Sequence, residues 1–386
     1  MDICVLNPYF YPYKGGTEKV LYEIYTRLAK RHNITVITSA TMNRNSYGIE
    51  DINGIKVVRL KTAYIPGGHL LPLPINLMEG FNAAAAKVDA DIYHINNRYL
   101  YFPRSVHLLK KAEKKIALTI HNALPKGIDL FTDSAGLLYD VSWGRRLMHT
   151  ADLITGISRA TIDSTVPKDE MRKTHLVYNG VDYDKFSKKR GADPKLVAVK
   201  RRLGLKGTVV LANGRLVTQK GQTYLLEAVA ELKKELDTEL NLLIIGRGPL
   251  ESRLKREAKA RGLNGHFKII NGIDEDTLPY YYNVADVFVM PSLYEPASLA
   301  ILEALSCELP CIASNVGGLP EMMGDCGLLA MPKSSDDIRE KILYVLNNKE
   351  RARALGRKGR ERMKKRHDWN NIAKQYEELF EKTIRY

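Results

Sequence analysis

The chain has 386 residues, more than one compact domain usually holds, so two α/β domains of just under 200 residues each are expected. Its 45% hydrophobic content is enough for two cores and excludes wholesale disorder. A formal charge of +15 admits nucleic acid, an anionic membrane surface or phosphorylated small molecules as partners, and the first 190 residues, with 27 basic and 18 acidic, hold the larger part of it.

Short apolar, β-branched runs alternate with amphipathic stretches from the start of the chain. Residues 2–6, 34–38, 56–60, 91–95, 116–120 and 153–156 read as strands, with helical patterns such as 17–31 and 104–113 between them. The rhythm then restarts: strands are expected at 209–212, 240–245, 267–271, 287–290 and 311–313, and helices at 222–236, 250–261 and 299–306. Two helical patterns, 350–365 and 370–384, close the chain. Strand–helix alternation implies a parallel sheet with crossover helices, so the sequence predicts two Rossmann-like, doubly wound units in tandem. They are divided at 1–177 and 178–369, with a join in the polar stretch from Tyr178, and a ligand is expected in a cleft fed by the carboxyl ends of both sheets.

Four cysteines (Cys4, Cys307, Cys311 and Cys326) are too few for a disulfide framework and fit a reducing cytoplasm. Cys307 and Cys311 lack a second Cys or His pair and read as buried thiols rather than half of a metal site. There is no run of some 18 apolar residues, and the first residues show neither a basic leader nor an apolar signal core.

Several strand ends carry candidate chemistry. After the first strand, Gly15-Gly16-Thr17-Glu18 opens a helix; paired glycines there let main chain approach a ligand, although an ordinary strand-to-helix turn would look the same. The second half opens similarly, with Asn213-Gly214-Arg215 and then Lys220-Gly221. Two cations five residues apart just past a strand can converge on a diphosphate, Arg as a fork and Lys as a point charge; the alternative is a pair of solvated loop cations.

A third strand ends in Gly246-Arg247-Gly248-Pro249, where a base or ribose could slide against backbone. In the stretch 293–303, Ser298 is placed to N-cap a helix from Leu299, which aims the N–H groups of Leu299 and Ala300 and the positive end of the dipole at a ligand. Glu295 precedes that helix and Glu303 lies within it, flanked by apolar neighbours, so the two could read sugars on either side of a diphosphate. His121 stands at a strand end in Thr119-Ile120-His121. His94 reads as alternation within a strand, and Asp89-Ala90-Asp91 is misplaced for a metal-binding D-x-D pair.

These residues in this order resemble glycosyltransferase family 4, the two-Rossmann-domain (GT-B) nucleotide-sugar transferases. The resemblance extends over nearly the whole chain and includes Tyr178-Asn179-Gly180-Val181-Asp182 and Ala313-Ser314-Asn315-Val316-Gly317-Gly318. It implies a retaining hexosyl transfer from a nucleoside diphosphate sugar, UDP- or GDP-linked, with no cofactor and no metal. Arg215 and Lys220 would hold the diphosphate, aided by backbone at Gly16, Leu299 and Ala300. Glu303 would bind the ribose hydroxyls, Glu295 the transferred sugar, and His121 that sugar from the opposite domain. The last helix, about 370–386, would pack back on the first domain. The usual Phe-Gly after Glu-Pro is here Ala297-Ser298, which alters the wall of the implied sugar pocket; Glu308 and Cys311 are further departures.

Among enzymes the rivals on this scaffold are an epimerase and a phosphorylase. From another class comes a basic nucleic-acid binder, whose best candidate segment is 356–367, GRKGRERMKKRH; a solvated helix is the simpler expectation, and no nucleic-acid partner is expected. Lys110, Lys111, Lys114 and Lys115 beside Leu108 and Leu109, together with the apolar loop 66–78, suit an anionic membrane surface, although a core-packed loop beside a solvated charged helix is the simpler expectation. The residues do not define the acceptor; a glycan or lipid-linked hydroxyl is the expectation, and the location cytoplasmic, compatible with the membrane face.

Overall fold

A computed structural model of the chain describes residues 1–13, 15–40, 47–61, 63–64, 74–75, 83–96, 103–122, 134, 138, 143–204, 206–236 and 239–386. The chain forms two compact units. One is built from Met1–Pro125, Asp129–Asn179 and Trp369–Tyr386, the other from Lys126–Ile128 and Gly180–Asp368.

The first unit carries the strands β1 (Asp2–Leu6), β2 (Asn33–Ser39), β3 (Gly48–Ile52), β4 (Ile55–Leu60), β7 (Ile92–Asn96), β8 (Lys115–Ile120), β9 (Leu153–Gly156) and β10 (Thr174–Leu176), with two-residue strands β5 (Ala63–Tyr64) and β6 (Pro74–Ile75) paired apart from them. Their order is β10-β9-β8-β7-β1-β2-β4-β3, parallel throughout except at β3. The antiparallel β3 was not foreseen. It is formed by a two-residue hairpin, Asn53-Gly54, in which both residues have positive φ, 52° and 82°; this is the turn chemistry that tight hairpins select.

Helix α1 (Gly16–Leu28) buries Val20, Leu21, Ile24, Tyr25 and Leu28, a 3.6-residue apolar stripe. Further on, α2 (Pro103–Lys111), α3 (Arg145–Thr150) and α4 (Arg159–Thr165) alternate with the strands. The last helix of the chain, whose range is Trp369–Arg385, buries Trp369, Ile372, Ala373, Tyr376 and Phe380 and packs against α1. Arg31 and His32 each reach Glu377 on that helix at 2.6 Å.

In the second unit, α5 (Pro194–Leu203), capped by the Asp193 carboxylate, precedes β11 (Thr208–Asn213), α6 (Gln222–Glu235), β12 (Leu240–Ile245), α7 (Glu251–Ala260), β13 (Phe267–Ile270), α8 (Leu278–Val284), β14 (Val287–Met290), α9 (Leu299–Ser306), β15 (Cys311–Ser314), α10 (Leu319–Met323), β16 (Leu328–Ala330), α11 (Ser335–Asn347) and α12 (Lys349–Arg366); the terminal helix is thus α13. The all-parallel sheet runs β13-β12-β11-β14-β15-β16. Both of its faces are buried: Val209 and Leu211 join one apolar cluster, Val210 and Ala212 the other. Continuous apolar strands are what such a two-faced sheet demands.

The basic run 356–367 falls in and just past α12. Gly356, Gly359 and Met363 are buried there, Arg360 donates to the carbonyls of Tyr183 and Ser306, and Arg362 donates to those of Glu321 and Met322. These arginines fasten the helix to its own unit. All four cysteines are buried and free, and burial pushes the Cys4 thiol up to about 12. No helix among the described residues is long and apolar enough to cross a membrane.

Candidate functional site

In the second unit the loops that follow β11 and β12 interlock. Gly214 N–H donates to the Ile245 carbonyl at 2.9 Å, and Leu216 N–H to the Arg247 carbonyl at 2.8 Å. Gly246 has φ +155°, and a Cβ there would lie 2.0 Å from the Gly214 carbonyl oxygen, so the crossing requires glycine. The aliphatic stem of Lys220 lies over Gly214, and Leu293 N–H donates to the Gln219 carbonyl at 2.8 Å, which draws the loop after β14 to the same place.

The head group of Lys220 forms an ion pair with Glu295, and the Ser292 hydroxyl donates to the same carboxylate oxygen at 3.1 Å. Both charged side chains are largely buried, at 14% and 7% exposure. Such a pair contributes little net stability, but removing one partner strands a buried charge. The Glu295 carbonyl accepts from Gly318 N–H at 3.0 Å. Arg215 is exposed, and its guanidinium has no ion-pair partner among the described residues; its carbonyl accepts from Gln222 at 2.9 Å.

Ser298 caps α9 as expected, accepting from Ile301 N–H, so Leu299 and Ala300 supply the first N–H groups of that helix. Within α9, Glu303 is buried and accepts from the Tyr282 hydroxyl at 2.8 Å; that hydroxyl in turn accepts from Asn213 Nδ2 at 2.8 Å. Burial first, and Glu303 second, hold the Tyr282 phenol well above its usual range, so it acts as a donor. The predicted residues Gly214, Lys220, Gly246, Gly248, Glu295, Leu299, Ala300 and Glu303 thus stand on strand-end loops and helix starts that hydrogen bonds tie together. Ser292, Asn213 and Tyr282 join them without having been foreseen. Asn213 was signalled only by its place beside Gly214, and Tyr282 by nothing, because its partner lies 21 residues away.

Gly15, Gly16 and His121 belong to the first unit. Gly15 is the extended N-cap of α1, Gly16 is exposed at its first position, and Lys14 of the predicted loop lies outside the described residues. His121 follows β8, is buried, and pairs Nε2 with Asn96 Oδ1 at 3.0 Å. Burial pulls its imidazole down to about 4, so it is neutral near pH 7. Asp89 pairs with Lys114 at 2.5 Å and Asp91 accepts from Asp2 N–H, which accounts for the D-x-D pair as surface structure. Lys110 pairs with Asp152 at 2.5 Å; the apolar loop 66–78 lies outside the described residues apart from Pro74–Ile75.

Two parallel α/β units with their polar groups at the carboxyl ends of the strands define a GT-B architecture. The description Glycosyltransferase Family 4 matches residues 14–185, and Glycosyl transferases group 1 matches residues 198–362. The chain belongs to glycosyltransferase family 4.

It is 33% identical over 203 residues to the GDP-mannose-dependent alpha-(1-6)-phosphatidylinositol monomannoside mannosyltransferase of Mycobacterium tuberculosis, a match covering 50% of this chain and about half, 52%, of that protein's length. To the protein of the same name from Mycolicibacterium smegmatis it is 27% identical over 381 residues, covering 91% of each chain. The solved sucrose-phosphate synthase from Thermosynechococcus elongatus shares its fold, with a TM-score of 0.80, 23% identity and 98% of both chains covered.

Proposed function

We propose that this chain is a retaining, metal-independent glycosyltransferase that moves a hexose-type sugar from a nucleoside diphosphate sugar to a hydroxyl of a glycan or lipid-linked acceptor. The observation that carries this reading is the gathering of Gly214, the Lys220–Glu295 pair and the start of α9 beyond the ends of β11 and β14.

When the bond between the anomeric carbon and the diphosphate oxygen breaks, its electron pair goes to the diphosphate. Arg215, Lys220 and the Leu299 and Ala300 N–H groups are suited to receive that charge already in place, without reorganisation. The anomeric centre passes through an oxocarbenium-like state. The acceptor hydroxyl forms the new bond on the face the diphosphate leaves, and its proton passes to the departing phosphate oxygen. Glu295, steadied by Lys220 and Ser292, accepts from hydroxyls of the transferred sugar. Glu303 accepts from the ribose, while Gly15, Gly16, Gly246 and Gly248 let backbone approach the nucleotide. His121 bonds a sugar hydroxyl.

The names of the mycobacterial relatives support GDP-mannose as the first donor to try and a lipid-linked acceptor as the first acceptor class. A cytoplasmic enzyme working at the membrane face fits that acceptor. The test is a panel of nucleotide sugars scored by thermal shift and donor hydrolysis, followed by acceptor screening with the best donor. Acceptor-dependent transfer with retained anomeric configuration is the expected outcome. Epimerised or free sugar with no transfer to any acceptor would point to an epimerase instead, and near-normal turnover in Arg215→Ala would overturn the site.

A further inference from the structure

Five neighbouring strands of the first unit carry a polar residue at one level of the sheet. Asn96 on β7 pairs in register with Thr119 on β8, and Thr119 with Thr155 on β9. Asn7 and Thr38 stand one residue beyond the pair Leu6 and Ile37 of β1 and β2, and Leu6 also pairs with Ile95. Paired residues of parallel strands share a face, so the five form a polar band across the sheet, each at most 1% exposed.

On β7, β8 and β9 the band is joined to its neighbours by hydrogen bonds, whereas Asn7 Oδ1 and Thr38 Oγ1 are buried without a partner among the described residues. His94, two residues before Asn96 on the same face, pairs Nδ1 with the Tyr25 hydroxyl and Nε2 with Thr119 Oγ1 at 2.6 Å. Thr119 continues to Thr155 at 2.6 Å and to the Tyr376 hydroxyl at 3.3 Å. Asn96 lies beside the Tyr25 hydroxyl and reaches on to His121 Nε2 at 3.0 Å.

The orientation of the Asn96 amide follows from what surrounds it. Its nitrogen lies 3.5 Å from the His94 carbonyl oxygen, a group that only accepts. Its oxygen, also only an acceptor, is therefore the atom turned to His121 Nε2, and that nitrogen must carry the hydrogen. A buried neutral imidazole has one such hydrogen, so Nδ1 is left with a lone pair.

We propose that Asn96 is a positioning residue that holds His121 in the Nε2–H form, leaving Nδ1 as an acceptor for a substrate hydroxyl. The last clause rests on the reading of His121 as a sugar contact; the tautomer itself does not. His121 then receives a hydrogen bond from the sugar and donates none, so it orients a hydroxyl without acting as an acid.

The tautomer is read directly in the full-length protein by nitrogen-15 NMR of the histidine rings, with His121 assigned by comparison with His121→Ala. An unprotonated Nδ1 at neutral pH is expected, and a protonated Nδ1 would overturn the proposal. Asn96→Leu should release the ring, lowering kcat about ten-fold, the scale of one hydrogen bond, with donor KM within about two-fold. Asn96→Asp, which keeps an oxygen facing Nε2, should restore the Nε2–H signal and much of kcat. An Asn96→Leu protein that retains the wild-type tautomer and kcat would also overturn it. Unchanged transfer by His121→Ala would remove the substrate role of the ring while leaving the tautomer result standing.

Discussion

Strands end in buried polar groups in both units, but the groups differ in kind. At the ends of β7 and β8 the first unit holds neutral donors and acceptors: Asn96 bonded to His121, and His94 bonded to Thr119 and to Tyr25 of α1. Beyond β11 and β14 the second unit holds Arg215, the Lys220–Glu295 pair and Glu303 beside a helix N-terminus. A diphosphate needs charge compensation, whereas hydroxyls need oriented acceptors and donors; the same sheet architecture has been finished in two ways suited to those two demands. The imidazoles of His94 and His121 stay neutral because burial penalises their charged form and their partners carry no charge, whereas the carboxylate of Glu295 is accommodated by the ammonium of Lys220.

The contrast can be broken most severely at the ion pair. Lys220→Ala leaves Glu295 without its cation; turnover should fall about 10²–10³-fold, as when a donor to developing charge is removed, and the melting temperature should drop. Steady-state kinetics and calorimetry read both effects, and an active, equally stable variant would dissolve the charged half of the comparison.

Acid should strike the neutral half. Burial lowers His94 to about 3 and His121 to about 4, below the unfolded value near 6.5, so the unfolded chain binds the extra protons first. Stability is therefore present above about pH 6.5 and is lost as pH falls towards 4. Between pH 7 and 5 each histidine should account for about 2 kcal/mol. Urea titrations at the two values measure this, and a flat profile would mean that the rings are not buried neutral.

Arg215→Ala should be milder for the fold than Lys220→Ala because Arg215 is exposed and unpaired among the described residues. Stability should hold while kcat/KM falls about 10²-fold. Tyr282→Phe removes the hydroxyl between Asn213 and Glu303, and about 1–3 kcal/mol of stability should go with it, together with some donor affinity, as measured by denaturation and donor titration. Smallest of all, Asp89→Ala should change neither turnover nor its metal dependence, and should leave the melting temperature where it is, because Asp89 is exposed and its pair with Lys114 is at the surface. Loss of metal-stimulated activity in that variant would revive the D-x-D pair.

How much of this was legible in the sequence depended on how locally each feature is encoded. The strands β1, β12 and β14 have the limits expected from their apolar runs, since a strand buried on both faces reads as a nearly continuous apolar segment. Ser298 was readable as a cap because capping involves neighbours in sequence. The β3–β4 hairpin was missed although Asn53-Gly54 announced it, the flanking β3 being exposed and polar enough to pass for loop. Helix α5 lay hidden at the end of a polar stretch, behind the Asp193-Pro194 cap. Tyr282 could not be found at all, because its role depends on Glu303 and Asn213 arriving from other elements. In the same way, the arginines of α12 look solvated in sequence, yet Arg360 reaches carbonyls more than fifty positions away.

The return of α13 to the first unit has a consequence for how the protein is made. Apart from Lys126–Ile128, the second unit lies in one stretch, Gly180–Asp368, and its segments can assemble as soon as that stretch has left the ribosome. The first unit, although begun at Met1, must wait for residue 376 before the hydroxyls of Thr119 and Thr155 meet Tyr376, and for residue 380 before Phe380 closes over His94. A nascent chain halted before α13 would carry a finished second unit attached to an open first one, with the side of α1 that α13 covers left bare. Such a chain is the species that chaperones or proteases would meet during synthesis.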